Sequence, residues 1–399
     1  MRSFLERHNC VLEVMTPIHI GSGRKLGKRE YIYDRNGARI LIMNIPRIYE
    51  YCIARKKTAD FERFFMGGRE EKRDLRHFLI QAGLGEARFQ DFSLYQIPAL
   101  ASELFENRNG RTSFALSDLQ TFMRDPYGLP YVPGTSIKGM LKSALLAFEM
   151  MRNSAGFSGL CKDLETAVMT PGPANRTKFL GREIGRIEEL AFKPIGSEQG
   201  SSDDDGNDKG KDMHTQMSWI SVGDSKPLKN TDLALCRKHD VRTDGKKNSI
   251  NIFRECLRPG TRIEFDITID TEHCAYSIEA IKEALVLMNT LIVRRFINRF
   301  DKSAVPEKEP VAWLGSAGFD TKTVIQALYG SLPVSARGGD EAAELTQAIL
   351  AKTISRKTFD EHQHNLDLTQ FNASPHMRKE TMYNGKLMDL GKARFTVLD

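Results

Sequence analysis

Residues 131–148, "YVPGTSIKGMLKSALLAF", place an apolar run stopped by Pro133, a turn of Gly134, Thr135 and Ser136, and a lysine-bearing apolar segment in direct succession. Ile137, Met140, Leu141, Leu145 and Phe148 recur at helical spacing, so the period of the apolar pattern switches from two to 3.6 across a few residues. A strand handed to a helix through a short glycine loop commits the chain to a mixed α+β architecture. The same device returns at 311–328, "VAWLGSAGFDTKTVIQAL", and its recurrence in both halves predicts two related α+β modules.

The remaining sequence fits that plan. "CVLEVMTPIHIGSG" alternates Val11, Met15 and Ile18 with polar positions and reads as a strand entering a glycine turn. "REYIYDRNGARILIMN" reads as a hairpin around Asn36-Gly37, followed by helical spacing in "IPRIYEYCIARK" and "FERFFMGGREEKRDLRHFLIQAG". "LYQIPAL", "RTSFALSDL", "MSWISVGDSKPL" and "ECLRPGTRIEFDITID" read as strands, and a long helix is expected over 277–300. Between the halves, "SEQGSSDDDGNDKGKD" has no apolar side chain to offset ordering entropy and reads as a disordered acidic loop. The expected domains are an N-terminal module at 1–196 with a helical insertion, the loop at 197–215, and a C-terminal module at 216–399.

Charge narrows the partners. Residues 1–80 hold 17 Lys and Arg against 10 Asp and Glu, whereas the rest of the chain holds 41 against 42. A basic region on an otherwise balanced protein fits an anionic partner or a solvated surface. No apolar run approaches the ~18 residues of a membrane span, and the charged "MRSFLERHNC" does not read as an export signal, so a cytoplasmic location is expected. Six well-spaced cysteines without a C-x-x-C pair read as reduced, buried thiols.

Several chemistries fail on spacing. A phosphate-binding P-loop needs a hydroxyl after the lysine that follows its second glycine. Here Lys138 precedes Gly139 and Met140 follows it, while Gly27-Lys28 is succeeded by Arg29, so nucleotide hydrolysis is excluded. Ser201, Asp203, Asp205 and Gly206 imitate an EF-hand, but Asp212 stands where the bidentate Glu belongs. His362 and His364 have no obvious third partner, the dipeptide His239-Asp240 carries no catalytic weight, and His19 at a strand end reads more readily as a packed residue than as a base. No metal and no cofactor is expected.

What survives is anion binding through backbone. Gly134, Thr135, Ser136 and Lys138 at a helix start suit a phosphate, or else form only a strand-to-helix turn. Gly21, Ser22 and Gly23 beside Arg24, Lys25, Lys28 and Arg29 suit a phosphodiester chain, or else a solvated loop.

Taken together, "MTPIHIGSG…EYIYD", "PYVPGTSIKGMLKSALL", "LRPGTRIEFDITID", "WLGSAGFDTKT" and "MRKETMYNGKLMDLGKARF" occur in an order that resembles one family across about residues 11–395. It is the RAMP-superfamily subunit of type III-A CRISPR (Csm) effector complexes that caps the guide RNA 3′ end. The resemblance implies two ferredoxin-like, RRM-related modules whose glycine loops touch the RNA backbone. It extends the RNA-facing set to Gly315, Gly318 and Lys322 in the second module. It also implies a non-catalytic role in guide (crRNA) maturation and antiviral defence, with crRNA, target RNA and other Csm subunits, the backbone and small helical ones among them, as partners. The sequence contains no RNP-like aromatic motif, so recognition of RNA shape and backbone is expected. The rival readings are a metal-independent endoribonuclease using His19 as base, and an assembly cap whose basic loops are incidental.

Overall fold

The computed structural model describes residues 4–67, 74–99, 104–108, 111–114, 116, 118–171, 178–194, 215–315 and 339–398. In chain order, strand β1 (Leu5–Val14) leads to β2 (Gly21–Leu26), the hairpin β3 (Tyr31–Asp34) and β4 (Arg39–Met43), and helices α1 (Ile45–Ala54), α2 (Thr58–Met66) and α3 (Leu75–Gln81). Strands β5 (Ser93–Pro98), β6 (Phe105–Arg108), β7 (Arg111–Phe114) and β8 (Asp118–Phe122) precede helices α4 (Gly134–Arg152), α5 (Ser154–Met169) and α6 (Gly181–Ala191). Then come β9 (Ile220–Val222), β10 (Leu233–Arg242), β11 (Lys247–Leu257), β12 (Arg262–Asp270), α7 (Ile278–Arg295) and β13 (Val311–Trp313). The chain closes with α8 (Gly339–Thr353), α9 (Arg356–Glu361), β14 (Met377–Tyr383), β15 (Lys386–Asp389) and β16 (Lys392–Leu398).

Two sheets carry the fold, one of five strands in the order β13-β16-β1-β12-β9 and one of six in the order β15-β14-β10-β11-β8-β2. Pairing is antiparallel throughout both, except that β11 and β8 run parallel. Alternation explains the β12 register: Ile263, Phe265, Ile267 and Ile269 are all buried, as period-two spacing requires of a strand with one face on the core. Helix α4 packs on β9, α7 packs on β13, and the two helices pack on each other. The main core runs through both sheets and these helices.

Both sheets take strands from either side of residues 197–215: β1 pairs with β12 and β16, and β8 with β11. Successive strands pass from one sheet to the other at β1 to β2, β11 to β12 and β15 to β16, so N- and C-terminal segments complete each other's ladders. Nearly all of the acidic segment lies outside the described residues.

Helices α1 to α3 and the sheet β3-β4-β5 pack around a core of their own. Helices α1 to α3 cover the three-stranded sheet β3-β4-β5, and Ile48, Cys52, Phe64, Leu75 and Phe78 form a second core. In its hairpin the Asp34 carboxylate accepts from the Asn36 and Gly37 N–H groups, and Ala38, not Gly37, takes the left-handed conformation at φ 46°. All six cysteines are free and buried, as their spacing suggested.

Glu255 on β11 ties the insertion to the six-stranded sheet. Its side chain is fully buried, yet it accepts from Tyr95 Oη at 2.7 Å, the Phe122 N–H at 2.8 Å and Arg124 Nη2 at 3.3 Å. The Arg124 guanidinium lies 3.6 Å from the Tyr95 ring centre and also donates to Asn230 Oδ1. Glu255→Ala strands all three donors, so urea unfolding is expected to show a loss of about 3–5 kcal/mol. Glu255→Gln, which keeps one acceptor, should lose less.

Candidate nucleic-acid interface

The expected turn at Gly21–Gly23 is a strand with a bulge. β2 forms the edge of the six-stranded sheet, and its register passes from Gly21↔Phe122 to Lys25↔Gln120. Four steps of β2 therefore face two steps of β8, and Ser22, Gly23 and Arg24 swing out of the ladder. Gly23 sits at φ 82°, a conformation glycine adopts without steric cost. Ser22 Oγ lies 2.6 Å from Thr121 Oγ1 and also accepts from the Arg24 N–H, which pins the bulge to β8.

Gly21 to Lys25 are all exposed, and so is Lys28. Arg24 pairs with Glu30 at 3.0 Å but remains 63% exposed. Neither Lys25 nor Lys28 has a carboxylate partner among the described residues. Arg29 is different: it donates to the Phe65 and Gly67 carbonyls at 2.9 and 2.7 Å, and thus serves the end of α2 instead of the surface. The resulting edge offers backbone, a hydroxyl and three cations in one short segment, a donor set that suits phosphates in series.

Directly beneath lies His19, only 2% exposed. Its Nδ1 is 2.7 Å from the Glu255 carbonyl, and a Cβ placed on Gly21 would stand 3.1 Å from its Nε2. Burial drives the imidazole down to about 4, against the pull of the Glu255 carbonyl, so the ring is neutral near pH 7. It packs edge-on to Phe122 and supports the strand.

The start of α4 departs further from expectation. Residues 131–133 form no strand; Pro130 contributes only an isolated bridge to Arg124. Gly134 opens the helix and is buried, and its N–H donates to Asp224 Oδ1 at 2.7 Å. The helix N-terminus thus already has an anion, supplied from a distant loop in place of a local cap. A Cβ at Gly134 would lie 2.3 Å from the Val222 carbonyl oxygen, so close backbone packing requires glycine there. Helical spacing then splits the candidate cradle. Thr135 and Lys138 face a cleft shared with Lys142, Glu188 and Glu189, whereas Ser136 faces a groove against α7 and β13. Partial burial holds the Lys138 ammonium below its ordinary value, and the carboxylates beside it make this cleft a poor phosphate site.

Ser136 and Gly139 share their groove with Gly315, at φ 68°. A Cβ on Gly315 would stand 2.3 Å from the His19 carbonyl oxygen. Three segments far apart in sequence, the entry to β2, the first turn of α4 and the loop after β13, therefore meet at one place. Gly318 and Lys322, with the helix expected after them, lie outside the described residues, as do the EF-hand positions.

Two features escaped the sequence. Lys28 also lines a cleft of about 360 Å³ with Tyr33, Arg35, Arg76 and Phe105, where Arg35 sits 5.6 Å from the Phe105 ring centre. No local motif marks it, because its walls come from separate segments, β3 and the turns beside it, the start of α3, and β6. The second is a buried cluster of His364, Asp367 and His376. His362 ends α9, and His364 opens a 3-10 turn that brings it to Asp367. Burial raises the Asp367 carboxyl, but polar contacts with His364, His376 and Ser374 outweigh it and hold the group below its ordinary value.

The sequence profile of the RAMP superfamily matches residues 11–315. The chain belongs to the RAMP superfamily. Among relatives of this RAMP protein, "CRISPR system Cms protein Csm5" of Mycobacterium tuberculosis (strain CDC 1551 / Oshkosh) is 29% identical over 283 residues, 69% of each chain. The Csm5 of Streptococcus thermophilus is 26% identical over 328 residues, 80% of this chain and 81% of the relative. The fold is similar to that of a chain in the cryo-EM structure of a Csm-crRNA-target RNA ternary complex of a type III-A CRISPR-Cas system, with a TM-score of 0.61 at 17% identity over 98% of this chain and 100% of the other. The mixed helix-and-sheet architecture is that of the RAMP fold.

His19 also sets a pH dependence. Unfolded, it binds a proton below about 6.5; folded, it resists protonation until about 4. Stability is therefore lost as pH falls across that window, by about 3 kcal/mol for this one group. Urea midpoints measured from pH 7.5 to 4.5 should show that slope, and His19→Gln, which can still donate to the Glu255 carbonyl, should flatten it.

Proposed function

We propose that this protein is the guide-RNA (crRNA) binding subunit of a type III-A CRISPR effector complex, holding the 3′ part of the guide and ending the filament of backbone subunits. The observation that carries the reading is the convergence of the exposed, cation-bearing β2 edge with Gly315 and the first turn of α4 around His19. Similarity to Csm5 proteins and to a chain of a Csm-crRNA-target RNA complex supports it. Its partners are then crRNA, target RNA and the other Csm subunits, and its setting is the cytoplasm. The two ferredoxin-like modules of the finer fold reading are supported by α4 and α7 packed together beside the five-stranded sheet.

RNA is held mainly by Arg24, Lys25 and Lys28 on the phosphates, with Ser22 and the bulged backbone donating between them. Lys138 contributes less, since its neighbours are carboxylates. The cleft of Tyr33 and Phe105 beside Lys28 and Arg35 gives one place where a base could stack, an addition to pure backbone recognition. The role is non-catalytic. The enzyme reading needs His19 to reach an RNA hydroxyl, and its ring is buried with Nδ1 committed to a carbonyl.

The test is a salt titration of binding to a labelled single-stranded guide RNA. Arg24→Ala with Lys25→Ala and Lys28→Ala should weaken binding at least ~10-fold and reduce the salt slope by roughly 0.7 for each phosphate that is no longer neutralised. Lys138→Ala alone should change it little. Affinity and slope equal to wild type in the triple variant would reject this surface. Specific cleavage of a guide precursor in EDTA, abolished by His19→Ala, would reject the non-catalytic role.

A further inference from the structure

The cluster of His364, Asp367 and His376 is far from the β2 edge in sequence and plays no part in the proposed RNA contacts. The three residues are 6%, 0% and 1% exposed, and one ligand atom of each lies within 4.8 Å of the others. His364 Nδ1 is 3.2 Å from Asp367 Oδ1 and His376 Nδ1 is 2.5 Å from the same oxygen. Both imidazoles thus aim the same ring nitrogen at one carboxylate. A hydrogen-bonded knot explains the 2.5 Å contact. It does not explain the state of Ser374. That side chain is fully buried, and its hydroxyl interacts with Asp367, yet it makes no hydrogen bond of acceptable geometry.

We propose that His364, Asp367 and His376 bind a divalent transition-metal ion of the zinc class, with the Ser374 side or a water completing its shell. Two imidazole nitrogens and one carboxylate oxygen are the donor set that suits such an ion. Metal–nitrogen and metal–oxygen bonds of about 2.0–2.1 Å put tetrahedral ligand atoms about 3.3 Å apart, which the His364–Asp367 spacing already meets. The His376 ring must open by a fraction of an ångström, and the metal then takes the place of the Nδ1 proton of both His364 and His376, each ligating ring carrying its hydrogen on Nε2.

The surroundings hold the ligands in place. The Phe371 ring stacks on His376 at 4.3 Å, the Phe359 ring lies 5.6 Å from His364, and the His364 carbonyl accepts from Gln347 Nε2 of α8 at 2.6 Å. An ion here would fasten the turn after α9 to the segment entering β14, with α8 joined to it through the His364 carbonyl.

The experiment uses untagged full-length protein stripped with chelator and titrated with Zn²⁺ and Co²⁺. Wild type should bind about one equivalent, raise its Tm on Zn²⁺ addition, and develop the intense visible absorption of four-coordinate Co²⁺. Asp367→Asn and His376→Gln should lose the cobalt spectrum and the Tm response. If both variants fail to fold, the wild-type titration still decides. Wild-type protein that gives neither cobalt absorption nor a Tm shift, or variants that keep both, would overturn the site and leave a hydrogen-bonded knot.

Discussion

The Glu255 carboxylate is buried where three parts of the chain meet. Its side chain holds Tyr95 of the insertion, the Phe122 backbone of β8 and the Arg124 guanidinium, while its backbone carbonyl holds His19 at the entry to β2. Burial pushes this carboxyl up, and Arg124, the Phe122 N–H and Tyr95 pull against it. A buried acid surrounded by donors fixes geometry because any displacement leaves a polar group unpaired in a dry environment. The Phe122 N–H turns to Glu255 at the same point where the β2–β8 register slips.

The exposed bulge depends on that arrangement. Phe122 faces Gly21, Thr121 holds Ser22, and His19 fills the space beneath Gly21. Gly315 closes against the His19 carbonyl, and the groove beside it reaches Ser136 and Gly139 on α4. A neutral histidine suits this position: it supplies a shaped polar support without a charge that would repel cations on the strand above. The positive edge is therefore set on a neutral foundation.

Much of this was legible from local pattern. The amphipathic stripe of α4, the alternation of β12 and the helical insertion all follow from residues that make their own secondary structure. The basic segment at 24–28 was legible as charge. Its conformation was not, since Gly-Ser-Gly satisfies a turn and a bulged edge strand equally well until β8 is there to pair with it. Thr135 and Ser136 are adjacent in sequence, yet a helix turns neighbouring side chains about 100° apart, so Ser136 faces one groove while Thr135 and Lys138 face another. Asp224 was invisible for another reason: a cap that comes from 90 residues away leaves no local signal.

By itself, the sequence determined the α+β class, the reduced cysteines and the family, because composition, periodicity and motif order act over short stretches. Tertiary structure decided the rest. It chose which strands share a sheet, filled the α4 N-terminus with Asp224, turned His19 inward, and gathered His364, Asp367 and His376. Each of these depends on contacts between distant residues, where a buried polar group must find its partner wherever the fold brings one.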